Sequence, residues 1–161
     1  MDNKTKNIAL SGVLAAAVLL LTMISLPLPS GSGYIHLGDA AVLLCAVLLP
    51  VSFGWVAAGC GAALADIILG FAMYAPATFV IKALMALCAG LLIKFFKGKW
   101  SIAALIISAL IVPLGYLAYE ALILDIGASA FVNIPLNALQ STVGAVLCYI
   151  VQLLMGRKQK I

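Results

Sequence analysis

Long uncharged apolar runs, separated by short polar clusters, constrain this chain more than any motif does. The first run, Ile8 to Leu26, holds no charged residue. A helix needs about 20 apolar residues to cross the hydrocarbon of a bilayer. There, every backbone N–H and C=O must find a partner within the protein. The chain is 66% hydrophobic and 9% charged, whereas soluble domains carry about 25% charged residues. These features predict an all-α membrane protein, one domain over residues 1–161.

Six spans are expected, and breakers set their limits. Leu26-Pro-Leu-Pro-Ser-Gly-Ser-Gly33 ends the first run, since paired prolines and glycines cannot continue a helix. The first run lacks a small-residue cleavage site and is expected to stay as the first span. The second span, from about Asp39 to Leu49, is short for a bilayer. It either begins deep or is covered by part of loop one. The third runs from about Gly54 to Leu69, and the fourth follows Pro76 and ends near Phe96. The fifth covers Ser101 to Leu124, with a kink expected at Pro113. The sixth covers Ile134 to Met155.

Charge gives an orientation. Lys4 and Lys6, then Lys94, Lys97 and Lys99, then Arg157, Lys158 and Lys160 fall on one side of a six-span bundle. The positive-inside rule makes that side, with both termini, cytoplasmic. The net charge of +4 therefore reads as membrane topology and not as affinity for nucleic acid. Cys45, Cys60, Cys88 and Cys148 lie in apolar stretches with no C-x-x-C pair, and read as small buried hydrophobes.

Lys82 breaks this charge pattern. It and Asp66 flank the turn Gly70 to Pro76, and both are expected about one helical turn inside the bilayer, at similar depth on neighbouring helices. Ionisable groups at such depth pair or face a wet cavity. An intramembrane ion pair, Asp66–Lys82, is expected, as a register-setting contact or as part of a site.

Other polar residues gather at the same end. Asn133, Asn137 and Gln140 recur at i, i+4, i+7 and form one helical stripe. Asn133 reads most simply as an N-cap. Asn137 and Gln140 lie too deep for that and need a partner or a ligand. Tyr116 and Glu120 share a face of span five, where Glu120 could also reach up to water. Asp39 reads as a helix N-cap. Tyr34, His36 and Tyr74 could close over a planar ring. Together these residues describe a cup open to the outside. Its walls are spans five and six, its floor Lys82 with Asp66, and its lid loops one and three. Aromatic faces with a few placed polar groups suit a small heterocycle. Rings of like charge, the mark of an ion pathway, are absent.

The sequence has no H-E-x-x-H, G-x-S-x-G or P-loop motif. Its single histidine argues against a His-based metal site, and no cofactor is called for. The chain does not read as an enzyme. Energy for transport would come from ion coupling, in a stand-alone secondary carrier, or from another polypeptide. A purely structural subunit is a third reading. Span one carries small-x-x-x-small pairs, Ser11/Ala15 and Gly12/Ala16, where another helix can approach closely, from the same bundle or from a partner.

A short six-span chain with such a face on span one resembles the S component of an energy-coupling factor (ECF) transporter. The segments Tyr34-Ile-His-Leu-Gly-Asp39, Ala65-Asp66, Tyr74-Ala-Pro76 and Lys82 strengthen the likeness. The resemblance implies a subunit that captures a water-soluble vitamin on the extracellular side. It implies docking through span one onto a T transmembrane protein coupled to two cytoplasmic ATPases. The family's docking motif is commonly Ala-x-x-x-Ala, and Ser11/Ala15 and Gly12/Ala16 stand in its place here. The expected substrate-binding set is Tyr34, His36, Tyr74, Lys82, Tyr116, Glu120, Asn133, Asn137 and Gln140. The ligand expected is a small ring such as hydroxymethylpyrimidine or a B6 vitamer, with riboflavin and thiamine open.

Overall fold

A computed structural model describes residues 2–27, 34–96, 98–125 and 127–156. Lys97, Arg157, Lys158, Lys160 and the middle of loop one lie outside the described residues. Helix α1 (Asn3–Met23) leads into a small antiparallel hairpin, β1 (Ser25–Pro27) and β2 (Tyr34–His36). Then come α2 (Gly38–Leu48), α3 (Val51–Ile68), α4 (Ala75–Leu92), α5 (Ser101–Ala109), α6 (Ile111–Leu122) and α7 (Ser129–Leu154).

Five segments are long and apolar enough to cross a membrane: α1, α3, α4, the α5–α6 pair and Ala130–Leu154 of α7. Large apolar side chains such as Leu64, Val80, Leu84, Leu139 and Val146 stand exposed, as a lipid-facing surface requires. The expected second span is the exception. Helix α2 has 11 residues, about 16 Å of helix, and contacts α1, α3, α4 and α7. Most of its residues are buried, so it is a central pillar inside a ring of longer helices. The hairpin leads into its N-terminus, and α2 is too short to cross a bilayer by itself. The prolines and glycines of loop one signalled only a break, and a strand on each side of it was not expected.

Other boundaries follow the sequence more closely. Gly70, at φ +86°, turns the chain out of α3 where a residue with a Cβ would be strained. The α5–α6 break falls at Leu110, just before Pro113. Proline has no N–H to offer the carbonyl of Ala109, and its ring crowds the preceding turn. Helix α7 begins at Ser129, earlier than expected, so Pro135 lies inside it.

Close approach sets the packing. A Cβ on Gly144 of α7 would stand 2.7 Å from Asp39 Cβ and 3.0 Å from the Ala40 nitrogen. Only glycine allows α7 so near the start of α2. The small face of α3 (Gly54, Ala58, Gly61, Ala62, Ala65) is buried, as its spacing predicts. Cys45 and Cys148 are buried, whereas Cys60 is exposed on α3 and Cys88 half-buried. The reading of all four as buried therefore holds only in part.

Candidate functional site: a closed polar cup

The ends of α3, α6 and the hairpin meet the starts of α4 and α7 around one cavity of about 30 Å³, room for about one water. Tyr34 and His36 reach it from β2, Asp66 from α3, and Tyr74 from the α3–α4 turn. Tyr116 and Glu120 line it from α6, and Asn137 and Gln140 from α7. Phe71 and Thr78 complete the wall. Sequence reading missed these two, because a Phe in an apolar turn and a Thr in an apolar helix give no contrast. Tyr34 and Phe71 stand side by side in the wall, with ring centroids 5.1 Å apart. Tyr74 stands 6.4 Å from Tyr116.

Lys82 does not line the cup and does not pair with Asp66. Its Nζ lies 2.5 Å from Asp39 Oδ1, and neither side chain is exposed. Depth explains the correction. Asp66 lies near the end of α3, about 3 Å from Ile68, whereas Lys82 lies about 10 Å into α4 from Ala75. At that depth the neighbouring carboxylate belongs to α2. Asp39 is therefore no N-cap: the α2 N-cap residue is Leu37, and no side chain caps the helix.

A latch is built around this pair. Gln140 Nε2 donates to Asp39 Oδ2 at 3.0 Å, and the His36 backbone N–H donates to Gln140 Oε1 at 3.0 Å. The Gly38 N–H donates to His36 Nδ1 at 2.9 Å. The His36 ring proton therefore sits on Nε2. Burial holds the imidazole pKa down at about 4, with Lys82 pushing the same way and Asp39 opposing. His36 is thus neutral near pH 7. The latch ties β2 to α7, and through Asp39 and Lys82 to α2 and α4.

The cup's own polar groups form two further clusters. Tyr34 OH donates to Asp66 Oδ1. Thr78 and Tyr116 share a hydrogen bond of 2.9 Å. Glu120 is 2% exposed and does not reach up to water. Its carboxylate accepts from Asn133 Nδ2 at 3.1 and 3.0 Å and from Tyr74 OH at 3.3 Å. Asn133 is thus a buried partner of Glu120 and neither caps α7 nor lines the cup. A separate hollow of about 450 Å³, almost wholly apolar, lies between the hairpin and α7 and shares His36 and Gln140 with the cup.

The proposed docking face divides in two. Gly12 and Ala16 are exposed, and a Cβ on Gly12 would meet nothing within 4 Å. Ser11 and Ala15 are half-buried, and the Ala15 carbonyl lies 2.4 Å from where a Cβ on Gly61 would stand. That side of α1 is already engaged by α3.

The fold is a helical bundle with five segments long and apolar enough to cross a membrane and a polar cup at one end. A sequence model for the family "ECF-type riboflavin transporter, S component" matches residues 2–157, and the chain belongs to that family. It is accordingly a substrate-binding subunit of a membrane transporter and not an enzyme. The chain is also 34% identical over 107 residues, 63% of its length, to an uncharacterized protein in gap 3′region of Pyrococcus woesei, of which the match covers 70%.

Proposed function

We propose that this protein captures a water-soluble vitamin in the cup at the extracellular face and delivers it to an ECF T protein and two cytoplasmic ATPases. The observation that carries this reading is the cup. Aromatic rings and placed polar side chains from five separate elements converge on one pocket, as small-molecule sites do. The lysines Lys94 and Lys99 stand at the other end of α4 and α5, which supports a cup facing outward. Exposed Gly12 and Ala16 support docking through α1, whereas Ser11 and Ala15 serve packing within the bundle as well.

The family description points to riboflavin as the ligand. The aromatic faces and few placed polar groups of the cup suit a smaller ring, of the hydroxymethylpyrimidine or B6 type. The stand-alone ion-coupled carrier is the competing mechanism. Its proposed coupling pair, Asp66–Lys82, is not formed.

Equilibrium binding of riboflavin, thiamine, pyridoxine and hydroxymethylpyrimidine to the purified protein tests the proposal. Tight binding of one of them is expected, with uptake in vesicles only when the T protein and ATPases are present. No binding, or uptake without ATPases driven by an ion gradient, would contradict it.

A further inference from the structure

Buried carboxylates divide into those whose partners are supplied by the fold and one whose are not. Asp39 is held by Lys82 and Gln140. Glu120 is held by Asn133 and Tyr74. Asp66 is 4% exposed, and its Oδ1 accepts from Tyr34, but among the described residues its Oδ2 has no partner at ordinary hydrogen-bond geometry. The Thr78 hydroxyl interacts with this carboxylate from a longer range and shares a 2.9 Å hydrogen bond with Tyr116. An unpaired buried acceptor costs about 1–3 kcal/mol, more when charged. Such a group in a native structure calls for a partner from outside the chain, and Asp66 lines the cup.

The charge of the cup points the same way. Among the described residues its acidic members are Asp66 and Glu120, and no lysine or arginine lines it. Lys82 is fully buried against Asp39, behind the Tyr116 ring at 5.5 Å from its centroid. Residues 28–33 of loop one, Leu-Pro-Ser-Gly-Ser-Gly, bring no charge. All other lysines and the arginine lie before Ile8 or after Ile93, outside the cup-forming segments. Phosphate recognition ordinarily uses arginine, lysine or an array of backbone N–H groups.

We infer that the cup selects the unphosphorylated, neutral or cationic form of its ligand, and that Asp66 Oδ2 receives an N–H or O–H from it. This rests on the vitamin-binding reading and sharpens it. Asp66 is the specificity-determining acceptor, and the two carboxylates repel a phosphate ester that would otherwise share the same ring. A free vitamin carrying amine, imide or hydroxyl donors fits, and its phosphorylated form does not.

The test compares matched pairs on the purified full chain: riboflavin, pyridoxine and hydroxymethylpyrimidine, each against its phosphate ester. For the pair whose free form binds, the ester is expected to bind at least about a hundredfold more weakly, since like-charge juxtaposition costs several kcal/mol. Asp66→Asn replaces a carboxylate with an amide of the same shape. It is expected to weaken the free form about 10- to 100-fold, the range for a hydrogen bond to a charged group. It should weaken the ester less, narrowing the gap within the pair. The unliganded thermal midpoint, read in parallel, should not fall. An ester that binds as tightly as its parent overturns the inference while leaving the vitamin reading intact. So does an Asp66→Asn protein that loses both members of the pair equally. Failure of every free form to bind overturns both.

Discussion

Two buried aspartates in adjoining clusters are treated in opposite ways. In the latch, Asp39 is answered by the Lys82 ammonium and the Gln140 amide, and neither member of the ion pair is exposed. In the cup, Asp66 keeps one oxygen unanswered. A fully satisfied buried network fixes one arrangement of helices. An unsatisfied one stores a demand that a ligand can meet. The contrast separates the Asp39–Lys82 pair from Asp66, although all three are buried and near the same end of the bundle, while His36 and Gln140 belong to both the latch and the cup wall.

The comparison is broken most severely by Lys82→Met. Removing one member of a buried pair leaves the other uncompensated and costs about 3–5 kcal/mol. The thermal midpoint in detergent should fall sharply. Adding Asp39→Leu should recover much of it, because replacing both charges with apolar groups of similar size is often neutral or better. Next in size is Glu120→Gln. The amide cannot accept at both positions from Asn133 and Tyr74, and the loss is expected at about 1–3 kcal/mol of stability, with weaker ligand binding.

His36 gives a pH signature. Its folded-state pKa lies near 4, below its ordinary 6.5. The unfolded chain therefore binds a proton that the folded one refuses between these values. The stability this represents is fully present above pH 6.5 and is lost as pH falls through 6.5 towards 4. His36→Gln should flatten the slope of stability against pH in that window, measured against wild type. The smallest effect on the fold is expected from Gly12→Leu, within about 0.5 kcal/mol, because the site is open. Ligand binding should be unchanged, and copurification with the T protein should be lost.

Much of this arrangement was legible in the sequence, and the limits have physical causes. Helical periodicity fixes which residues share a face, so the spacing alone places Asn137 with Gln140, and Tyr116 with Glu120, on one side of their helices. The charge clusters gave the end at which the cup should lie. Periodicity does not say which helices touch. Lys82 could reach Asp39 or Asp66, and only the depth of α2 beside α4 decides between them. Asn133 looked like a cap because Pro135 resembled a helix start; α7 begins a turn earlier, which moves Asn133 inward against Glu120. The hairpin was hidden because Leu26 to Gly33 advertises only its breakers. Phe71 was invisible among apolar neighbours, and its place in the cup wall depends on the φ of Gly70.

The sharpest measurement is a paired one on Asp66→Asn: the dissociation constant of the tightest-binding free vitamin and the thermal midpoint of the unliganded protein. If the unanswered oxygen belongs to the ligand, affinity falls about 10- to 100-fold while the midpoint holds or rises. Unchanged affinity, or a midpoint that drops as far as that of Lys82→Met, would show that Asp66 supports the fold as Asp39 does, and the distinction between latch and cup would be lost.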